Sequence, residues 1–209
     1  MEQSITLPGE LPVMPLPGSV LFPHALLPLH IFESRYQQML AHALHRHRMF
    51  CVTLIEPNRP QWTSTEDFFH IAAVGLIRAC VAHDDGTSNL ILQGLRRVRF
   101  TGFKQDTPFP IAQIQPLDSI ASSTVKTEAL GAKVLEIYER FKDAGRQLSE
   151  KVDRYLADLS NPEMLADLMA ATFINDPLRR QQVLEELSLD QRLRLVIQYL
   201  REEGGAAAA

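Results

Sequence analysis

The chain has 209 residues, 45% of them hydrophobic and 22% charged, with a formal net charge of −4. That length supports one large domain or two smaller ones and buries roughly 70% of the surface the unfolded chain exposes, so neither metal nor disulfide is needed for folding. The negative balance gives no broad attraction to phosphate backbones, and no apolar run has the length of a membrane span or the build of a secretory leader.

Residues 1–10 read as a short flexible lead. The stretch from Leu11 to Tyr36 is apolar but interrupted by Pro12, Pro15, Pro17, Pro23 and Pro28. Proline has no N–H and a fixed φ, so short extended segments are expected here rather than a continuous helix or a central sheet strand. From Glu33 to His47 the spacing becomes helical, with Tyr36, Met39, Leu40, Ala43 and Leu44 on one face. Met49–Ile55 reads as a buried strand, and Glu56–Asp67 as an exposed loop. Two long strands, Ile71–Ala82 and Leu90–Phe103, flank the turn signal Asp85-Gly86, and Gly75 and Gly94 mark bulges or bends within them. Ile111–Leu117 is a half-buried strand that ends at a proline. Cys51 and Cys80 lie in the apolar runs and read as buried small hydrophobes of a reduced, cytoplasmic protein.

Asp118–Thr127 is rich in Ser and Thr, and beyond it the pattern is helical throughout. Leu130, Val134, Ile137, Tyr138 and Phe141 form one apolar stripe, with Gly145 as a left-handed stop. Leu148, Val152, Tyr155, Leu156 and Leu159 form a second. Asn161-Pro162 and Asp176-Pro177 each pair an N-cap with a proline at the first helical position. Ser188 to Gln191 has capping-box spacing and opens a last helix, after which 204–209 reads as a frayed tail. The expected organisation is α+β: a β-rich subdomain over 11–118 with one inserted helix, then a helical bundle over 119–203.

Catalytic machinery is not legible. There is no G-x-x-x-x-G-K loop, no G-x-S-x-G elbow, no H-E-x-x-H and no C-x-x-C, so no catalytic, cofactor-binding or metal-binding residues are predicted. His42, His45 and His47, with His24 and His30 upstream, suggest a metal site. Histidine at a helix C-terminus, interacting with the dipole and last carbonyls, is the simpler reading. Arg96, Arg97 and Arg99, with Arg78 opposite and Phe100 and Phe103 alongside, offer phosphate contact and stacking. The overall acidity favours a solvated strand face instead, so nucleic acid is disfavoured as a partner.

Three segments carry a family resemblance: LPVMPLPGSVLFPHALLPLHIFESRYQQML, VGLIRACVAHDDGTSNLILQGLRRVRF and PEMLADLMAATFINDPLRRQQVLEELSLDQRLRLVIQYL. Together they resemble the amino-terminal, substrate-recognition domain of Lon proteases, in a stand-alone bacterial form without the ATPase and Ser–Lys protease domains. The most specific part joins Pro15-Leu16 and Phe22-Pro23 to the run Pro28-Leu29-x-Ile31-Phe32-Glu33-x-Arg35-Tyr36. The resemblance implies a PUA-like β pseudo-barrel followed by a helical bundle. It also implies a non-catalytic protein-binding module that takes extended or unfolded polypeptide or acts as an adaptor. An RNA-binding module using the Arg96–Arg99 hairpin is the alternative. Protein or peptide is the expected partner, no membrane is involved, and a homo-oligomer is left open. Pro15, Phe22, Pro23, Pro28, Phe32, Glu33 and Gly94 read as architectural. Arg35 and Tyr36, in a groove between barrel and helix, and Arg97 are the expected partner contacts.

Overall fold

A computed structural model describes residues 6–55, 62–120, 123–143, 145, 150–157 and 159–206. The chain divides into two units, Met1–Leu117 and Asp118–Ala209.

The first unit contains β1 (Glu10–Leu16), β2 (Leu26–Ile31), α1 (Ser34–Leu44), β3 (Met49–Leu54), β4 (Ile71–Ala82), β5 (Ser88–Gln105) and β6 (Ile111–Pro116). The sheet order is β2-β5-β4-β3-β1-β6, and β6 also pairs with β5, which closes a barrel. The long strand β5 makes this possible. Its residues 88–93 pair with β2, and its residues 98–105 pair with β6 on the same edge. A five-stranded barrel thus continues into a three-stranded arm, β2-β5-β4. Register shifts at Val74/Gly75 and Ile77/Ala79 bend the β4–β5 pair near the junction, and the turn at its tip has Gly86 at φ 83°.

The expectation that prolines keep the opening stretch out of the sheet interior fails for β1, which lies between β3 and β6. Its neighbours, however, are taken in succession. Glu10–Pro12 pair with β6, whereas Val13–Leu16 pair in parallel with β3. Val13 donates its N–H to Pro110 O on the β6 side, so Pro15, two residues on, turns its missing donor to that side after β6 has ended. The prolines fall where a ladder bond is not required.

Two cores result from the alternation of side chains across the strands. Inside the barrel lie Val13, Cys51, Val74, Val98, Phe100 and Ala112. On the outer face, Tyr36, Met39, Leu40 and Ala43 of α1 cover Met14, Phe50, Val52, Ile77 and Leu92. Each fully buried side chain of this size contributes about 1.5–3 kcal/mol. The expected loop at 56–67 falls partly on residues 56–61, outside the described set. Of its described end, Thr63, Ser64 and Glu66 are exposed as expected, but Asp67 is buried, and its Oδ2 accepts from the N–H and hydroxyl of Thr63 and from the Ser64 N–H.

The second unit contains α2 (Thr124–Asp143), α3 (Glu150–Ala157), α4 (Pro162–Phe173), α5 (Pro177–Glu185) and α6 (Leu189–Ala206). Asn161 Oδ1 accepts from the N–H groups of Glu163 and Met164, and Asp176 Oδ1 from that of Arg179, as the Asn-Pro and Asp-Pro pairs imply. Ser188 departs from the capping-box expectation, since its hydroxyl donates to Asp190 Oδ1 at 2.8 Å. The expected tail at 204 is also helical to Ala206, with Gly204 against the Phe141 ring. The second apolar stripe is only partly realised: Leu156 is buried, but Val152 and Tyr155 of α3 are exposed and Leu148 lies outside the described residues. No helix among the described residues is long and apolar enough to cross a membrane.

Candidate functional site

The arm β2-β5-β4 has one covered face and one open face. On the covered side Leu27, Leu29, Ile31, Leu90 and Leu92 pack with α1. Directly paired residues share a face of a sheet, so the registers Pro28↔Ile91↔Ala79 and His30↔Asn89↔Val81 build the other side. These six residues, together with Leu29 and Leu90 between them along the strands, line a groove of about 390 Å³. Leu26 and Phe32 extend the same row on β2, each 63% exposed, and Val81 is 59% exposed.

The polar groups on this face satisfy one another. His30 Nδ1 lies 2.8 Å from Asn89 Oδ1, Asn89 Nδ2 lies 2.9 Å from His83 Nε2, and Arg78 Nε donates to Gln93 Oε1 at 2.5 Å. The ring of Phe32 stacks on His30 at 5.8 Å. What remains available is an apolar row with a polar rim, the composition of an interaction surface. The family signature does not make Phe32 a core residue, because β2 ends at Ile31 and the ring continues the outward-facing alternation.

The edge of β2 offers less than its face. Gly94 N–H donates to Ala25 O at 2.9 Å, so odd-numbered residues turn their backbone toward β5. Leu26, Pro28 and His30 therefore turn theirs to the free edge, where Pro28 has no N–H to give. A proline at the centre of a six-residue edge strand discourages strand addition.

Of the residues expected to contact a partner, Arg35 and Tyr36 stand side by side, whereas Arg97 lies on β5 opposite Ala73. Tyr36 is 6% exposed. Its hydroxyl donates to Pro15 O at 3.4 Å and accepts from Trp62 Nε1 at 3.3 Å. Burial raises its pKa above the ordinary tyrosine value, partly opposed by the Trp62 hydrogen bond. The Arg35 guanidinium lies 4.8 Å from the Tyr36 ring centroid and 5.1 Å from that of Trp62, and pairs with Glu33 at 2.7 Å. Trp62 packs beside both, its Nε1 bonded to the Tyr36 hydroxyl and its ring beneath the Arg35 guanidinium, and no spacing linked it to Arg35. A partner contact here would rest on Arg35, whose side chain keeps 34% exposure.

Arg97 is a correction. It is 2% exposed, because the irregularity at Gly94–Arg96 resets the alternation and places it opposite Ala73 on the covered side. Arg96 and Arg99 remain exposed, so the hairpin presents no continuous basic face. Of the architectural residues, Phe22, Pro15 and Pro23 are buried. Gly94 carries the junction of barrel and arm.

The histidines at the end of α1 behave as helix-end residues. His45 Nδ1 lies 2.8 Å from Ala41 O, and His42 meets the Phe109 ring edge at 5.5 Å. Burial, then the Arg46 charge, lowers the His42 pKa. Among the described residues no group of three or more His, Cys, Asp or Glu is placed to hold a metal. Cys51 and Cys80 are both free thiols, the first buried and the second half-buried, and burial pushes the Cys51 pKa up.

Residues 10–202 match the family model for the ATP-dependent protease La (LON) substrate-binding domain. "Lon protease 2" of Herpetosiphon aurantiacus is 29% identical over 196 residues, covering 93% of this chain and 24% of that protein. "Lon protease" of Dictyoglomus thermophilum is 26% identical over 207 residues, covering 97% and 26%. The chain thus spans about a quarter of the length of these relatives. Among solved structures, the N-terminal domain of Mycobacterium avium complex Lon protease matches with a TM-score of 0.74 at 15% identity, covering 92% of this chain and 98% of that one. A Lon N-terminal domain protein from Xanthomonas campestris matches at 0.64 and 22%, covering 91% and 98%. With a barrel, a helical unit and a family match over nearly its whole length, this chain belongs to the Lon substrate-binding domain family.

Proposed function

We propose that this substrate-recognition module binds extended or unfolded polypeptide on the open face of β2-β5-β4 and does no chemistry of its own. It would deliver what it holds to a protease, either as part of a longer chain or as an adaptor. The observation that carries the reading is the apolar row Leu26, Pro28, Phe32, Ile91 and Val81 left in water while α1 covers the reverse side. The face holds no activated nucleophile, and its amides and imidazoles are engaged with each other. The two free thiols support work in a reducing compartment such as the cytoplasm.

Magnitudes favour weak, reversible capture. Covering three apolar anchors gains about 1.5–3 kcal/mol each at most, and ordering each side chain of an unfolded partner costs about 0.5–1.5 kcal/mol. The surplus corresponds to affinities in the micromolar range or weaker, which suits a module that must release its cargo. Burial of Arg97 weakens the RNA reading, which then rests on the exposed Arg96 and Arg99.

The test is binding of a reduced, carboxymethylated, permanently unfolded protein to the wild type and to the triple variant Leu26→Ser/Phe32→Ser/Val81→Ser. An affinity loss of about tenfold or more (1.4 kcal/mol per factor of ten) at unchanged melting temperature is expected. Equal affinity in both proteins would refute the assignment of this face.

A further inference from the structure

We infer that the helical unit carries a second, separate binding site: a groove between α2 and α6 shaped for an acidic amphipathic helix of a partner protein. The groove measures about 490 Å³ and is lined by Leu130 and Lys133 of α2 and by Arg194, Ile197, Gln198 and Arg201 of α6, with Glu202 at one end. Ile197 and Leu130 form its floor, the first buried and the second half-buried. Arg194 and Arg201 stand on its wall, both exposed.

Charge identifies the occupant. The acidic groups nearby are already engaged. Glu202 pairs with Arg179 at 2.8 Å, Glu136 with Lys133 at 2.6 Å, and Asp190 with Lys126 in the first turns of α6 and α2. Among the described residues, no carboxylate pairs with Arg194 or Arg201. In a chain of net charge −4, two unpartnered arginines beside an apolar floor form a local site for carboxylates.

Spacing identifies the shape. Arg194 and Arg201 are seven residues apart on one helix, about 10.5 Å of rise, with Ile197 between them. A partner helix lying along the seam presents its own residues i and i+7 at the same rise and i+3 and i+4 between them. Glutamates at the outer pair and leucines at the inner pair match the two arginines and the floor together. An extended strand advances about 3.3 Å per residue and would not hold this match in register with the helix. The mode is a helix laid in a groove, distinct from capture of extended chain on the β arm.

The test uses the full chain and a fluorescein-labelled helical peptide of about fifteen residues with that Glu/Leu pattern, alongside the same peptide with lysines in place of the glutamates. The acidic peptide should bind about tenfold tighter. Raising salt from about 50 to about 300 mM should weaken it several-fold, as expected for solvent-exposed charges. The variant Arg194→Glu/Arg201→Glu should lose that binding and prefer the lysine peptide. The control Arg96→Glu/Arg99→Glu, in the other unit, should change nothing. Equal affinity for the two peptides, or full affinity of the Arg194/Arg201 variant, would overturn the proposal. So would displacement of the peptide by a stoichiometric amount of single-stranded RNA, or self-association of the chain that blocks the groove. Binding of the unfolded protein to the β arm should survive in the Arg194/Arg201 variant, so the two sites fail separately.

Discussion

A Cβ placed on Gly94 would stand 1.9 Å from the carbonyl oxygen of Phe22. The approach is locked by two backbone bonds, His24 N–H to Gly94 O at 2.8 Å and Gly94 N–H to Ala25 O at 2.9 Å. Backbone cannot give way as a flexible side chain can. Gly94→Ala is therefore expected to cost about 1–3 kcal/mol or more, read as a lowered urea midpoint for loss of the β signal. Gly131→Ala should act in the opposite direction. Its new methyl meets Leu165 and Pro162 at 3.8 Å, ordinary contact distance, and alanine in a helix interior gains about 0.5–1 kcal/mol over glycine.

The helical unit contains a buried ion pair. Arg192 has no solvent exposure and lies 3.6 Å from Asp167, which has none either. The guanidinium also donates to Ser119 Oγ and Glu186 O, both at 2.8 Å, and approaches Glu163 at 3.3 Å. It thereby ties the segment entering α2 to the starts of α4 and α6. Arg192→Met leaves the Asp167 carboxylate buried without its guanidinium and should cost about 3–5 kcal/mol. Arg192→Met/Asp167→Leu should recover most of that, because the desolvation cost of both ions disappears with them. Thermal melts followed by far-UV circular dichroism check both variants. A double variant no better than the single would show that the lost Arg192 hydrogen bonds, not the buried Asp167 charge, set the loss.

Sequence reasoning located this fold well where a local rule had one outcome. Ile71–Ala82 was bounded correctly because a turn signal and two apolar runs frame it, and Asn161 and Asp176 cap their helices because proline follows each. It failed where alternation or coverage depends on distant chain. One extra residue near Leu95 sends Arg97 inward, and no local pattern announces which residue a bulge will skip. β1 is flanked on both sides despite its prolines because β6 and β3 take turns beside it. The open face was illegible for a related reason. Leu26, Phe32 and Val81 look like core residues, and only the barrel's closure by β6 shows that β2 and the hairpin tip extend past it. Trp62 joins Arg35 and Tyr36 across a loop, so its signal was a lone tryptophan.

Tyr138 gives the helical unit an alkaline limit. It is 1% exposed and packed against Phe173 at 5.4 Å. Burial first, then the Asp153 carboxylate, push its pKa up to about 12, against about 10 for an unfolded tyrosine. Below pH ~10 both states hold the proton and the group is neutral in its effect. Between about 10 and 12 the unfolded chain releases a proton that the folded one retains, so stability falls as pH rises through that window. Tyr138→Phe should flatten this slope in melting temperature against pH. Titration of phenolate absorbance should show one late-ionising tyrosine fewer in the variant, with Tyr36, also raised by burial, remaining.

Pro28 is the residue whose replacement tests how the β arm avoids its own kind. It sits mid-strand on the free edge of β2, with Leu26 and His30 as the neighbouring edge donors. Pro28→Val adds an N–H to that edge and a β-branched side chain to the exposed face, completing a row of donors for another strand. The ladder with β5 should not change, because the proline's nitrogen faces away from it. The expected outcome is an unchanged or slightly raised melting temperature together with concentration-dependent association, detected by static light scattering. If the variant stays as monodisperse as the wild type at every concentration, the proline is not what protects the edge. The exposed side chains of Leu26 and Phe32 would then have to be tested as the barrier to close approach.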